Sequence, residues 1–233
     1  MNVVILIVKY FGFGFTALLP VINPLGSALV FLGFVGPASS NIYRTLARQI
    51  AVNTILFFLV IELVGSALLN FFGISLAIVQ VSGGLVLAAM GWSLLNEKDP
   101  DAKPAPDRIP SQPMLDSFEE KTFYPLTFPV TAGPGCIVVM LTLSAHASKP
   151  TFRASKHALN DVLFAHLGIS LAVVALSVLV YLCYAYAPRI TQAISPTTAN
   201  GILRVIAFIL LCIGVQITWN GLQPLLSTLI RPS

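Results

Sequence analysis

The sequence predicts an all-α polytopic membrane protein, with six transmembrane segments in two inverted three-helix repeats and segments 1 and 4 broken. Three observations carry that prediction. Only 9% of the 233 residues are charged and 56% are apolar, with a mean hydropathy of +0.87, well away from soluble-domain averages. Five or six apolar runs approach or exceed the roughly 20 residues that cross a bilayer. The order broken segment, basic loop, plain segment, short turn, glycine-bearing segment then occurs twice. The formal charge of +4 is no nucleic-acid signal, because the basic residues sit in short connections between apolar runs, the placement that orients membrane proteins.

Segment 1, about Val3 to Phe34, is too long for one straight span, and Leu19-Pro20-Val21-Ile22-Asn23-Pro24-Leu25-Gly26 interrupts it. Proline lacks a backbone donor and clashes with the carbonyl four residues earlier, so Pro20 and Pro24 are expected to break the helix. Asn23 followed by Pro24 reads as a new helix start, a cap and then proline at the first helical position. The run lacks a convincing small-residue cleavage site, and Lys9 follows apolar residues instead of preceding them, so it is expected to be a retained span. Ser39, Ser40, Asn41, Arg44 and Arg48 form a polar connection. Segment 2, about Gln49 to Phe72, is continuous except for Glu62, and Gly73 marks a turn. Segment 3, about Ile74 to Leu95, carries Gly83, Gly84 and Gly91, small residues that let helices approach closely in lipid.

Residues 1–95 make the first repeat, and 96–121, rich in Pro, Asp and Lys, read as an exposed, mobile linker. Residues 122–233 make the second repeat. Segment 4, about Thr122 to Ala147, contains the second break, Phe128-Pro129-Val130-Thr131-Ala132-Gly133-Pro134-Gly135. Segment 5 covers about Asp161 to Ala187, Pro188 and Pro196 bracket a loop, and segment 6 covers about Gly201 to Leu226. Laying Gly91 on Gly214 also lays Gly84 on Ala207. Three spans per repeat force the halves to cross in opposite senses, the inverted topology of many secondary transporters. Arg44, Arg48, Lys98, Lys103, Arg108, Lys121 and Arg189 fall on the linker's side, against Lys9, Lys149, Arg153, Lys156 and Arg231 on the other. The linker side is therefore expected to be cytoplasmic, with both termini outside.

Helices that begin inside a membrane present unpaired amides and a positive dipole end, which bind anions without a formal charge. A substrate carboxylate fits such termini, and unwound carbonyls at Leu19, Val21, Phe128 and Val130 suit an ammonium group. The expected substrate-binding residues are Asn23, Pro24, Gly26, Thr131, Gly133, Pro134 and Gly135, the glycines allowing close approach and Asn23 and Thr131 adding polar groups. Glu62, the one carboxylate deep in a span, is the proton-coupling candidate, with a purely structural tie to a neighbouring segment as the alternative. His166, close in sequence to Asp161, reads either as a relay or as an interfacial histidine bonded to backbone. Gln80, Gln216 and Asn220 line a polar path or tie helices together, and Trp92, Trp219 and Tyr124 are expected as interface anchors. Cys136, Cys183 and Cys212 lie in apolar runs and define no disulfide framework. Metalloprotease, nucleophile-elbow and phosphate-loop motifs are missing from the sequence, so neither enzyme activity nor a cofactor or metal site is expected. The expected partners are a small-molecule substrate and the lipid bilayer, not nucleic acid. The small residues of segments 3 and 6 fit internal packing or a homo-oligomer seam.

PVINPLG, GGLVLAAMGWSLL and YPLTFPVTAGPG together resemble the MarC family of bacterial integral membrane proteins. Its hallmarks are Asn-Pro-x-Gly in the first span and Pro-Leu-x-x-Pro-x-x-x-Gly-Pro-Gly in the fourth, the latter matched without a gap from Pro125 through Pro129 to Gly135. The resemblance spans nearly the whole chain except the linker. It implies six spans, an inner-membrane location, no enzymatic activity, and transport of small neutral amino acids such as alanine, glycine, serine and threonine. Glu62 and His166 belong to no motif of the family. The combined expectation is alternating access with substrate between the two breaks and proton coupling, the rivals being a passive channel or a membrane interaction protein whose linker docks a partner.

Overall fold

A backbone in lipid must satisfy its polar groups internally, and helices do so within a single segment. The computed structural model describes residues 3–36, 38–96, 122–148, 158–193 and 196–230, and it contains helices and no strand among them. In chain order these are α1 (Val3–Ile22), α2 (Pro24–Val35), α3 (Ser40–Phe71), α4 (Leu76–Leu95), the kinked, irregular α5 (Thr122–Thr131), α6 (Pro134–Ala147), α7 (Ala158–Ala185), α8 (Ala187–Ala193) and α9 (Pro196–Ile230). Five stretches are long and apolar enough to cross a membrane, and α5 with α6, bent by 69°, makes a sixth if counted as one span. Large apolar side chains such as Val8, Phe13, Leu56, Val60, Leu63, Leu171 and Phe208 are exposed along these helices, as lipid-facing positions should be. Except for Asn96, the linker assigned to 96–121 lies outside the described residues, as do Lys149, Arg153, Lys156 and Arg231, on which the expected orientation partly rests.

Three expectations are corrected. The loop set between Pro188 and Pro196 is largely α8, with α9 beginning at Pro196 itself. The polar connection before segment 2 is helical from Ser40 onward. Tyr43, Leu46, Ala47 and Ile50 are buried while Arg44, Thr45 and Arg48 are exposed, so the stretch is amphipathic at helical period and extends α3 beyond its apolar run. In segment 1, Pro20 lies within α1, and the break falls at Asn23 alone. Asn23 adopts a left-handed conformation (φ 45°, ψ 65°), yet its N–H donates to the Leu19 carbonyl at 3.0 Å and its carbonyl accepts from Ser27 N–H at 2.9 Å. One left-handed residue kinks the helix without unwinding it, and Leu19, expected as a free carbonyl, is occupied. The second break is larger. Tyr124 and Phe128 are extended, the Tyr124–Pro125 and Phe128–Pro129 bonds are cis, and Thr127 accepts a backbone bond from Ala132 at 2.8 Å.

Most principal packing partners come from the other half of the chain. α1 and α2 lie on α7; α3 lies on α5, α6 and α7; α4 lies on α9 and α6. The apolar faces of residues 1–95 are therefore buried by residues 122–233. The tightest crossing joins α4 to α9. A Cβ added at Gly84 would stand 2.7 Å from the Gly214 carbonyl, and one added at Gly91 would stand 2.8 Å from the Ala207 carbonyl. Rising numbers on α4 meet falling numbers on α9, so the pair is antiparallel. Gly84 meets the residue that Gly91 was laid on, and Gly91 meets the residue that Gly84 was laid on.

Candidate functional site

The two breaks converge on a tyrosine. Gly135 of the second break packs close to Val21 of the first, since a Cβ there would lie 3.4 Å from the Val21 side chain. Tyr184, buried in the last turn of α7, places its hydroxyl 2.7 Å from Thr131 Oγ1 and beside the Ser27 side chain. Its ring stacks on Phe31 of α2 at 4.6 Å and 16°, and Phe31 meets Tyr43 edge-on at 5.8 Å. The hydroxyl protons can be counted. Thr131 donates to the Leu126 carbonyl at 2.7 Å and Ser27 donates to the Asn23 carbonyl at 2.9 Å, so each has spent its only proton. Tyr184 therefore donates, and its one proton serves either the Thr131 oxygen of the second break or the Ser27 oxygen of the first.

The other expected binding residues take these places. Asn23 is half-buried, and its Oδ1 accepts from Gly26 N–H at 3.1 Å, capping α2. A Cβ at Gly26 would collide with the Asn23 side chain, so that glycine makes room for the cap. Pro24 and Gly135 are buried, as is Gly133, while Pro134 is exposed. Gly133 caps α6 without a side-chain bond, so the α6 N-terminus is the less satisfied of the two. An open cavity of about 540 Å³, lined by Thr45, Arg48, Gln49, Val52, Asn53 and Thr122, lies where α3 and α5 begin.

A second polar cluster joins α3, α6 and α7. Glu62 has a wholly buried side chain, and its Oε1 lies 3.0 Å from Nδ1 of His166, whose side chain is 19% exposed. Ser170 Oγ donates to Glu62 Oε2 at 3.1 Å, and Ser144 Oγ donates to the Glu62 carbonyl at 2.7 Å. His166 Nε2 lies 3.2 Å from the Oγ of exposed Ser148. A buried carboxylate is tolerable only when paired and hydrogen-bonded, and here both its oxygens are engaged. His166 is thus bonded to side chains of two other helices and not to backbone. Gln80 is buried against Gly221, whereas Gln216 donates to Asn220 at 2.9 Å on the outer face of α9, within one helix. Trp92, Trp219 and Tyr124 are exposed.

Ser27, Tyr184, Ser144, Ser148 and Ser170 were not singled out from the sequence. A signal existed for the serines, since Ser144 with Ser148 and His166 with Ser170 each repeat at four residues, which sets two polar groups on one helix face. Tyr184, in the run Tyr181-Leu182-Cys183-Tyr184-Ala185-Tyr186, is not distinguished from its neighbours by any local pattern.

The comparisons agree with one another. The model of the MarC family of integral membrane proteins matches residues 8–226. The UPF0056 inner membrane protein MarC of Salmonella typhimurium strain LT2 is 27% identical over 225 residues, covering 94% of this chain and 97% of the relative. The proteins of the same name from Citrobacter koseri and Escherichia coli O1:K1 / APEC are each 28% identical over 225 residues, with the same coverage. No solved structure matches. The relatives are named inner membrane proteins and the apolar helices here have spanning length, which makes this an integral protein of the bacterial inner membrane. Both paired break motifs, Asn23-Pro24-Leu25-Gly26 and Pro125 to Gly135, lie inside the matched region, and the chain belongs to the MarC family of integral membrane proteins.

Proposed function

We propose that this protein is a secondary transporter of small polar solutes, with small neutral amino acids (alanine, glycine, serine, threonine) as the substrate class. The observation that carries the reading is the convergence of the two breaks on Tyr184, with one donor shared between two acceptors on different segments. An amino acid entering there offers a carboxylate to the α2 and α6 N-termini and an ammonium group to carbonyls of the bent α5, replacing the tyrosine bridge. The conformation described is then the closed one, with Ser27, Thr131 and Tyr184 buried. The cavity beside Arg48 and Asn53 is the approach from the linker side.

Six spans in two inverted repeats, residues 1–95 and 122–233, are part of this reading. The reciprocal pairing of Gly84 with Gly214 and Gly91 with Ala207 supports it, because a two-fold exchange of the repeats turns one pair into the other. Glu62 supplies proton coupling, supported by its complete burial on a helix that also packs against α5 and α6. Counterflow in proteoliposomes tests the proposal. Labelled alanine should accumulate against trapped unlabelled neutral amino acids, and Asn23→Ala together with Thr131→Ala should reduce that flux at least tenfold in protein that reaches the membrane. Non-saturating flux would replace the carrier with a channel, and silence across the panel would remove the amino-acid assignment.

A further inference from the structure

The hydrogen bonds around Glu62 allow its protons to be counted as they were at Tyr184. Ser148 Oγ lies 2.9 Å from the Ser144 carbonyl and 3.2 Å from His166 Nε2, and its single proton can serve either. When that proton serves the carbonyl, His166 Nε2 carries a hydrogen and donates to Ser148 Oγ at 3.2 Å. Ser170 donates to Oε2, so the contact between Nδ1 and Oε1 at 3.0 Å holds one further proton, written either as Glu62–OH against neutral histidine or as carboxylate against imidazolium. The pair is neutral overall in both descriptions, the less costly condition for a buried site in a membrane span.

We infer that Ser148, His166 and Glu62 form a proton relay that opens on the membrane face where α1 begins and α6 ends, loaded when the Nδ1–Oε1 contact holds that further proton. In the unloading step the Oε1 proton passes to Nδ1 and the Nε2 proton leaves to solvent water. Ser148 then turns its O–H from the Ser144 carbonyl to the bared Nε2. The product is a carboxylate accepting from Nδ1–H and Ser170, with every ring nitrogen again bonded. The two states differ by one proton and one hydroxyl rotation. Loading runs the same steps backwards. His166 is the relay residue and Ser148 the exposed switch, and neither need touch the transported solute.

A contact between α1 and α6 assigns the face. Tyr10, in the first half of α1, donates to the carbonyl of His146 near the end of α6 at 3.4 Å, and Ser148 lies two residues further on, at the C-cap of α6. Other ionisable groups on the helices packed around the pair are Lys9 and Tyr10 of α1, Cys136 and His146 of α6, and Asp161, Tyr181, Cys183 and Tyr184 of α7. Tyr43, Arg44 and Arg48 start α3 and Tyr124 belongs to α5, while Arg189 of α8 follows α7; α2 carries none. Arg48 stands about 20 Å along α3 from Glu62 at 1.5 Å per residue. Ser144, bonded to the Glu62 carbonyl, fixes the relay to the helix that follows the second break.

The relay gives the proton coupling proposed above a route, and it is testable without any transported solute. Full-length protein oriented in liposomes is subjected to pH jumps on one face at a time while the infrared band of protonated carboxyl groups is followed. A band that shifts in D₂O, vanishes in Glu62→Gln and responds first to jumps on the α1-start face is expected. His166→Ala should slow that response at least tenfold, with added imidazole restoring part of it, and Ser148→Ala, at an exposed position tolerant of change, should slow it severalfold. A response in His166→Ala at the unmodified rate, equal response from both faces, or a band surviving in Glu62→Gln would overturn the relay. An intact relay in protein without alanine counterflow would sink the transport reading alone. Alanine counterflow with a pH response indifferent to His166 would sink the relay alone.

Discussion

Replacing Tyr184 by Phe removes one oxygen from the place where the two breaks converge and leaves the ring. The phenyl group can keep its stack on Phe31 at 4.6 Å, so neither a large cavity nor the loss of the aromatic pair enters the account. The hydrogen bond at 2.7 Å to Thr131 is lost, but the Thr131 proton stays on the Leu126 carbonyl at 2.7 Å. No donor is orphaned; only acceptor oxygens on Thr131 and Ser27 lose a partner. The cost belongs near the middle of the range for a net hydrogen bond, about 1 kcal/mol. Because the bridge exists only while the breaks are together, that energy biases the closed arrangement, and about 1 kcal/mol is roughly a fivefold change in its equilibrium with an opened one. Cys136, buried in the first turn of α6, supplies the assay. With Cys183 and Cys212 replaced by Ala, the rate at which a membrane-permeant thiol reagent labels Cys136 reports opening of the second break. Tyr184→Phe should raise that rate about fivefold. An unchanged rate, in protein whose thermal midpoint falls by the few degrees that the lost bond predicts, would show that the tyrosine merely adds stability and does not hold the breaks together.

Gly84→Val should destabilise the α4–α9 crossing by about 1–3 kcal/mol through overpacking, whereas Gly12→Ala, where an added Cβ meets nothing within 4 Å, should change the thermal midpoint little. Glu62→Gln keeps two polar atoms opposite His166 and Ser170 and should fold, while Glu62→Ala leaves those partners facing a void and should cost about 2–4 kcal/mol in denaturation by detergent mixtures. Gly26→Ala pushes the Asn23 side chain off its cap, and removing that cap should cost about 1 kcal/mol and lower counterflow, with Gly33→Ala as the silent comparison.

The class and the spans were legible because lipid imposes them: a run such as Val3 to Phe34 has no soluble explanation. The two breaks were legible because Pro and Gly act locally, and Asn23 with Pro24 starts a helix as their chemistry requires. Their unequal depth was not, since Pro20 continues a helix while Pro125 and Pro129 sit in a bent one, and the same residue type stands at both. The start of α3 was read as loop because Arg44 and Arg48 hid the buried period of Tyr43, Leu46, Ala47 and Ile50. Glu62 and His166 were each visible as polar intrusions, but their meeting depends on how α3 crosses α7, to which neither segment's own pattern is a guide. Tyr184 carries no local mark at all; its role comes wholly from what two distant segments bring to it.

The mutual fit of α4 and α9 also has a consequence in time. During synthesis α4 enters the bilayer with Gly84 and Gly91 turned to a face whose complement has yet to be translated. At roughly 5–20 residues per second, the second half of the chain follows only after several seconds. Until α9 is made, the glycine face of α4 has no helix to fill it. A ribosome stalled before Gly214 would leave a nascent chain whose earlier spans are made but whose α9, the partner of α4, is incomplete.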